Sequence, residues 1–169
     1  MLSGKLGALG VLISDLGDRV ADDLSSSAAA LLLTLRFRSA LTATALADIA
    51  GIAQPTAVRV LDGLVSRGLV VRQERVGRTA PLRLTVPGRK RADRLLSERA
   101  HALGHLLAAL SGEEQMRLER LIDKLLAAAT TSRAFARTTC RLCDHSICDG
   151  PRCPVGARAT ELEQAAAAS

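Results

Sequence analysis

The sequence predicts a mainly helical chain with one small β-wing, and three observations carry that prediction. Leucine and alanine dominate, there is no Trp or Tyr, and the Phe residues are Phe37 and Phe135 alone, so the core must be filled by small and branched aliphatic groups on alanine-rich helices. Apolar residues recur at intervals of three and four along most of the chain, which is the helical rhythm. That rhythm gives way between Gly68 and Thr85, where the apolar runs LVV and LRLT flank a turn around Gly77, giving strand, loop, strand. A length of 169 residues suits one domain with an appendage and is enough to bury a sizeable core.

Taken in order, Leu2, Leu6, Leu9, Ile13, Leu16, Val20 and Leu24 form one narrow seam along a helix from about residue 4 to 24, and so narrow a seam wants another helix. Ser25 to Ser27 break it and supply an N-cap, after which AAALLLTLRF forms a second helix buried on several sides and closed by Arg36 and Arg38. Thr42 is placed to cap a third, with Leu46, Ile49 and Ala50 inward and Gly51 ending it. A fourth begins at Gln54 or Pro55, where a missing amide hydrogen has no intrahelical partner to lose. Its three-and-four spacing buries Ala57, Val60, Leu61 and Leu64 and leaves Pro55, Val58, Arg59, Asp62 and Ser66 on the far side, with Thr56 on the flank.

Two short helices around a tight turn, followed by a basic hairpin, make a winged helix-turn-helix. Gln54, Pro55, Thr56 and Arg59 stand near the start of its second helix, the part that reaches base edges and phosphates in a major groove. Between Gln54 and Arg91 lie nine basic residues (Arg59, Arg67, Arg72, Arg75, Arg78, Arg83, Arg89, Lys90, Arg91) against Asp62 and Glu74. That segment is +7 in a chain of total charge +6, and the remainder sums to −1. Charge concentrated on one helix and its wing is the electrostatic footprint of a polyanion-binding surface.

From Pro87 a long helix runs towards Leu110, with Ala92, Leu95, Leu96, Leu103, Leu106 and Leu107 as its apolar positions. Ser111 and Glu114 form a capping-box pair that opens another, carrying Leu118, Leu121, Ile122, Leu125 and Leu126 to about residue 137. Such a hairpin of amphipathic helices can pair with a symmetry mate. His101 and His105 stand at i and i+4, a spacing able to share a metal, but no third ligand accompanies them in the pattern and a solvated surface pair is the simpler reading.

All four cysteines fall within fourteen residues, CRLCDHSICDGPRC. The spacing C-x2-C-x4-C-x4-C, through Cys140, Cys143, Cys148 and Cys153, is that of a zinc knuckle with Cys148 in the place of histidine. Four thiolates satisfy a closed tetrahedral site, and a small loop without a core of its own needs such a staple. An iron–sulfur cluster is the alternative, since the run ends in Cys153-Pro154, and free or redox-active thiols are the third reading. His145 stands beside the set as a replacement ligand or a shield.

The stretch LADIAGIAQPTAVRVLDGLVSRGLV, the wing residue Arg78 and the run LRLTVPGRKRADRLL together resemble the MarR family of bacterial winged helix-turn-helix regulators, over roughly residues 28 to 130. Ala53 stands where many members have a serine N-cap, and the wing reads Val76-Gly77-Arg78 rather than D-x-R. The resemblance implies a homodimer whose first and last helices form the interface. It also implies a sequence-specific regulator, a repressor, on a pseudo-palindromic DNA operator, with a small-molecule effector bound between the dimer helices and the DNA-reading lobe. Base contact is expected from Gln54 and Arg59, phosphate contact from Thr56, positioning from Arg75 and minor-groove entry from Arg78, with Pro55 in the same DNA-binding set. The expected organisation is an N-terminal dimerisation helix (1–27), a winged helix-turn-helix (28–86), C-terminal dimerisation helices (87–137), a cysteine-rich metal-binding module (138–156) and a tail (157–169) that is at most a frayed helix and ends disordered.

No Ser/His/Asp arrangement, phosphate-cradling glycine loop or paired carboxylates stand out, which excludes an enzyme from the expectation. No apolar run approaches the roughly 18 residues of a membrane span, and GALGVLIS near the start is followed at once by Asp15 and Asp18, so a cytoplasmic protein is expected. The contrasting reading is a metal- or redox-sensing regulator in which the four cysteines are the effector site.

Overall fold

The computed structural model describes residues 1–38, 40–75, 80–148 and 153–168. Eight helices and one two-stranded sheet follow in the order α1 (Leu2–Ala21), α2 (Ser26–Phe37), α3 (Ala43–Ala50), α4 (Gln54–Ser66), β1 (Val70–Arg72), β2 (Leu82–Leu84), α5 (Val86–Leu107), α6 (Gly112–Ala129), α7 (Arg133–Thr139) and α8 (Pro154–Ala167). The predicted class, helical with a small wing, is the one observed.

Local chemistry explains most boundaries. Ser25, Thr42, Thr85, Ser111 and Ser132 each accept a backbone N–H in the first turn of α2, α3, α5, α6 and α7. Ser111 and Glu114 complete the reciprocal capping box. Gly51 ends α3 in the left-handed conformation, φ 67°, so the chain reverses into α4 without the Cβ strain another residue would meet. α1 stops at Ala21 rather than continuing to residue 24, and Leu24 is buried in the turn instead.

The main core lies between α2, α3, α4, the sheet and the first half of α5. Leu31, Leu32, Leu46, Leu61 and Leu82 are fully enclosed there, and α2 is buried from Ala28 to Leu35. β1 and β2 pair antiparallel with Val70 opposite Leu84, Val71 opposite Arg83 and Arg72 opposite Leu82, and Leu41 bridges to Leu82 from the other side. Gly88 lets α5 start hard against the sheet: a Cβ there would stand 1.8 Å from the Leu69 carbonyl oxygen.

Two expectations are corrected. The helix expected to run to about residue 137 ends at Ala129: Thr130 turns to extended backbone, φ −78° and ψ 114°, and Ser132 caps a separate helix, α7. The tail expected to be at most a frayed helix with a disordered end is α8, which packs on α6 and α7 with Val155 and Ala159 buried and Arg133 paired with Glu163. An alanine-rich segment opened by a proline needs only such an apolar support to become a stable helix. Among the described residues no helix is long and apolar enough to cross a membrane.

Candidate functional site

α4 packs on α3 through Ala57, Leu61 and Leu64, which are buried, and Val60 is half-buried beside them. Packing that face turns the other outward: Gln54, Pro55, Thr56 and Arg59 are all exposed on the first turns. Ala53 offers no side-chain cap, so the leading N–H groups of α4 are not covered by the residue before it. Arg72 at the end of β1 pairs with Asp62 of α4 and fastens the wing's base to this helix. The ladder continues one bond beyond the strands, Gln73 donating to the Pro81 carbonyl at 2.8 Å. Arg75 follows, exposed and without an ion pair among the described residues. Arg78, the residue expected to enter a minor groove, lies outside the described residues, as does the turn around Gly77.

Eight of the nine basic residues of this segment, all but Arg78, are described, and they divide into two groups that sequence alone did not separate. Arg67 and Arg91 converge on Asp23, which joins the turn after α1 to the end of α4 and the start of α5, while Arg72 is taken by Asp62. The hydrogen bond from Arg91 holds the Asp23 carboxyl below its ordinary range, with the Arg67 and Arg91 charges adding to it. These three arginines brace the lobe. Arg59, Arg75, Arg83, Arg89 and Lys90 are exposed and make no ion pair among the described residues. Partners tens of residues apart, such as Asp23 and Arg67, leave no spacing signal. Arg36, likewise, is held by Asp93 at 2.6 Å and stands over the Phe37 ring.

The cysteine run forms a short turn-rich segment between α7 and α8. Cys140 is the last cap of α7, and Cys153 is the first of α8, its Sγ accepting the Gly156 N–H at 3.3 Å. The Cys143 N–H donates to the Cys140 carbonyl at 3.0 Å, and the Cys140 thiol is in hydrogen-bond contact with Cys143 and Cys153. Cys140 and Cys148 pack against the small cluster of Ala136, Cys153, Val155 and Ala159. The shared hydrogen bond draws the Cys143 thiol down to about 7 against the opposing effect of burial, with Arg99 contributing, and pushes Cys140 up. Among the described residues no three His, Cys, Asp or Glu side chains already close into a metal cage. His145 faces elsewhere: its Nε2 donates to the Cys140 carbonyl at 3.2 Å, and its ring meets Phe37 edge-on at 5.3 Å. His101 and His105 bring their Nε2 atoms to 3.1 Å on the exposed face of α5.

A cavity of about 240 Å³ opens between α1, α2, α5 and the cysteine segment. Ile13, Leu33, Leu95 and Leu142 make its apolar walls, and Arg99 and Arg141 supply two cations. Sequence reading did not find it, because its lining comes from four separated segments.

The helix-turn-helix, the antiparallel wing and the helical arms before and after them define a winged-helix fold. Residues 22–78, from the turn after α1 to the wing, match the model of the MarR family. Among solved structures the chain is similar to MepR, the transcription regulator of the Staphylococcus aureus multidrug efflux pump MepA. The two share 20% identity at a TM-score of 0.69, over 76% of this chain and 98% of that one. It is similar to the Mycobacterium tuberculosis MarR family protein Rv2887 at 25% identity and TM-score 0.63, over 73% of this chain and 92% of that one. The complex of Rv2887 with DNA matches at 24% identity and the same TM-score of 0.63, over 74% and 97% of the two chains. Comparison with curated protein sequences gives no match.

Proposed function

We propose that the protein is a homodimeric, sequence-specific DNA-binding repressor whose recognition helix is α4. The observation that carries this is the exposed face of Gln54, Pro55, Thr56 and Arg59, with Arg75 exposed and in no ion pair among the described residues, on a helix held to its wing by Arg72 and Asp62. That Rv2887 has been solved with DNA on the same fold supports the reading. Arg59 and Gln54 are assigned to base edges, Thr56, Arg75 and the open N–H groups of α4 to phosphate, and Arg78 to the minor groove.

The dimer is argued from unpartnered surface. α6 has no buried residue, yet Met116, Leu121, Ile122 and Leu125 are exposed along it, and Leu2, Leu6 and Val11 are exposed on the first half of α1. Two such stripes brought together by a two-fold axis would remove both from water and present the two α4 helices to successive major grooves about 34 Å apart, on a pseudo-palindromic operator. The cavity suits a small aromatic or aliphatic acid as effector, its body among Ile13, Leu33 and Leu95 and its carboxylate towards Arg99 and Arg141. Rv2887 has also been solved with salicylic acid. Cys140, Cys143, Cys148 and Cys153 are assigned to a structural zinc. The donor chemistry fits: Cys140 touches two other thiols, and Cys153 receives a backbone N–H of the kind that stabilises a metal-bound thiolate.

The test is a pair of anisotropy titrations at two salt concentrations on operator and random duplex. Arg59→Ala should weaken operator binding by on the order of 5- to 150-fold, the worth of a base contact, while hardly changing random-duplex binding. Arg75→Ala should weaken both alike and lower the salt dependence. Equal losses on both duplexes for Arg59→Ala would remove it from the base-reading set.

A further inference from the structure

The position of the cysteine segment gives it more than a fastening role. Cys140 ends α7, and α7 rests on α3 of the reading unit; Cys153 begins α8, and α8 rests on α6 of the C-terminal hairpin. An ion shared by those two thiols therefore ties the helix that touches the reading unit to the helix that touches the dimer arm.

The contacts on the reading side are specific. Thr138, two residues before Cys140, donates from Oγ1 to the Asp48 carbonyl at 3.4 Å, in the last turn of α3. Its Cγ2 lies 3.1 Å from where a Cβ on Gly51 would stand, against the left-handed residue that turns α3 into α4. Arg141 and Leu142, between Cys140 and Cys143, line the cavity, and Leu142 also packs on the main core. His145 meets Phe37 at the end of α2. Both α2 and the end of α3 thus meet residues lying among or beside the cysteines. The segment's own buried cluster, Ala136, Cys153, Val155 and Ala159, is too small to hold these contacts in one arrangement by burial alone.

We propose that the four cysteines form an allosteric metal site: a thiophilic divalent cation of the zinc type, bound by Cys140, Cys143, Cys148 and Cys153, seats Thr138 against the α3–α4 turn and raises affinity for DNA. This rests on the zinc assignment and the DNA-reading assignment above. It adds to them that the ion is felt at α4 through Thr138. Loss of the ion frees the end of α7, lets Thr138 withdraw from Asp48 and Gly51, and leaves the pitch of α4 relative to the dimer arm unset.

The experiment compares the full chain carrying one equivalent of zinc with the same chain stripped by a chelator, both under reducing conditions without air. DNA binding is read by anisotropy on a duplex selected from a random pool by the zinc-loaded protein, and amide hydrogen exchange is read across α2 and α3. Stripping should weaken DNA binding on the order of tenfold, within the usual range of coupling between sites. It should also speed exchange in Ala43–Ala50 while leaving α2 protected. Thr138→Ala should keep the zinc stoichiometry and lose most of the response, to within about threefold, because the ion is then disconnected from α3.

Zinc bound without effect on DNA affinity or on α3 exchange would overturn the allosteric role and leave a structural zinc. Absence of zinc binding would overturn both. If α3 exchange follows zinc while the zinc-loaded protein selects no duplex from the pool, the coupling stands and the DNA-reading assignment falls. Loss of α2 protection together with α3 on stripping would mean general unfolding, and overturns the allosteric role.

Discussion

The reading lobe and the cysteine segment are held together by opposite means. In the lobe Leu31, Leu32, Leu46, Leu61 and Leu82 are fully enclosed, and α2 has water on almost none of its middle turns. In the C-terminal segment the buried cluster is four small residues, and the rest of the order comes from caps, thiol contacts and the Arg133–Glu163 pair. Burial of that extent is hard to reverse, whereas a set of thiols can be loaded and emptied. Fixed geometry therefore belongs to the part assigned to reading DNA, and adjustable geometry to the part assigned to reporting a signal.

The largest expected effect strikes the lobe. Leu61 is 0% exposed, at the joint of α4 with α3 and α2. Leu61→Ala should cost about 2–5 kcal/mol by lost transfer energy and a residual cavity, read as the shift in urea midpoint. A loss under about 1 kcal/mol would mean the site collapses freely, and the contrast between the two regions would fail.

Glycines sharpen the same contrast at smaller scale. Gly88 has the Leu69 carbonyl oxygen 1.8 Å from any added Cβ, so Gly88→Ala must move backbone against backbone and should destabilise by about 1–3 kcal/mol. Gly63, inside α4, has open space around it, and Gly63→Ala should stabilise by roughly 0.5–1 kcal/mol through helix propensity. At the cysteine segment an added Cβ on Gly156 would meet the Cys153 side chain at an ordinary 3.5 Å, the looser packing expected of a region with little core. Thermal unfolding of the two variants side by side should show shifts of opposite sign.

What could be read from sequence follows the same division. The helices of the lobe and their caps were legible because each rests on local chemistry: Thr42 before an apolar period, Gly51 at a reversal, Ser111 three residues before Glu114. So was the outward placement of Gln54, Pro55, Thr56 and Arg59, which follows from burying Ala57, Leu61 and Leu64. The glycine of the LTVPGR run was visible as a motif, but its cause, the approach of Leu69, is a contact nineteen positions away in sequence and has no local trace. The break after Ala129 was missed although Thr130, Thr131 and Ser132 mark it, because this run of capping residues sits inside an apparently continuous helical period. The docking of α8 was not legible beyond a frayed helix, since alanines carry no strong periodic signal and the partner surface on α6 is supplied by the fold. The divided roles of the arginines were hidden for the same reason, Asp23 being distant from both Arg67 and Arg91.

Acid gives the smallest effect and separates the regions by order of release. The hydrogen bond from Arg133 lowers the Glu163 carboxyl from its ordinary value near 4.5, against a slight opposing effect of burial. A carboxylate whose folded value is depressed contributes stability that is complete above the unfolded value and is lost as pH falls through the folded one. The docking of α8 on α7 should therefore weaken below about pH 4.5, with protonation of Glu163 releasing Arg133. Asp23 is depressed by Arg91 and Arg67 in the same sense, from a value near 3.8, but the lobe it clips has the leucine core beneath it. On lowering the pH from 6 to 3, amide exchange in Pro154–Ala167 should accelerate before that in Ser26–Phe37. Glu163→Gln should reproduce the α8 part of that change at neutral pH. Simultaneous release of both helices would mean that α8 shares the lobe's core after all, and the two regions would have to be treated as one cooperative unit.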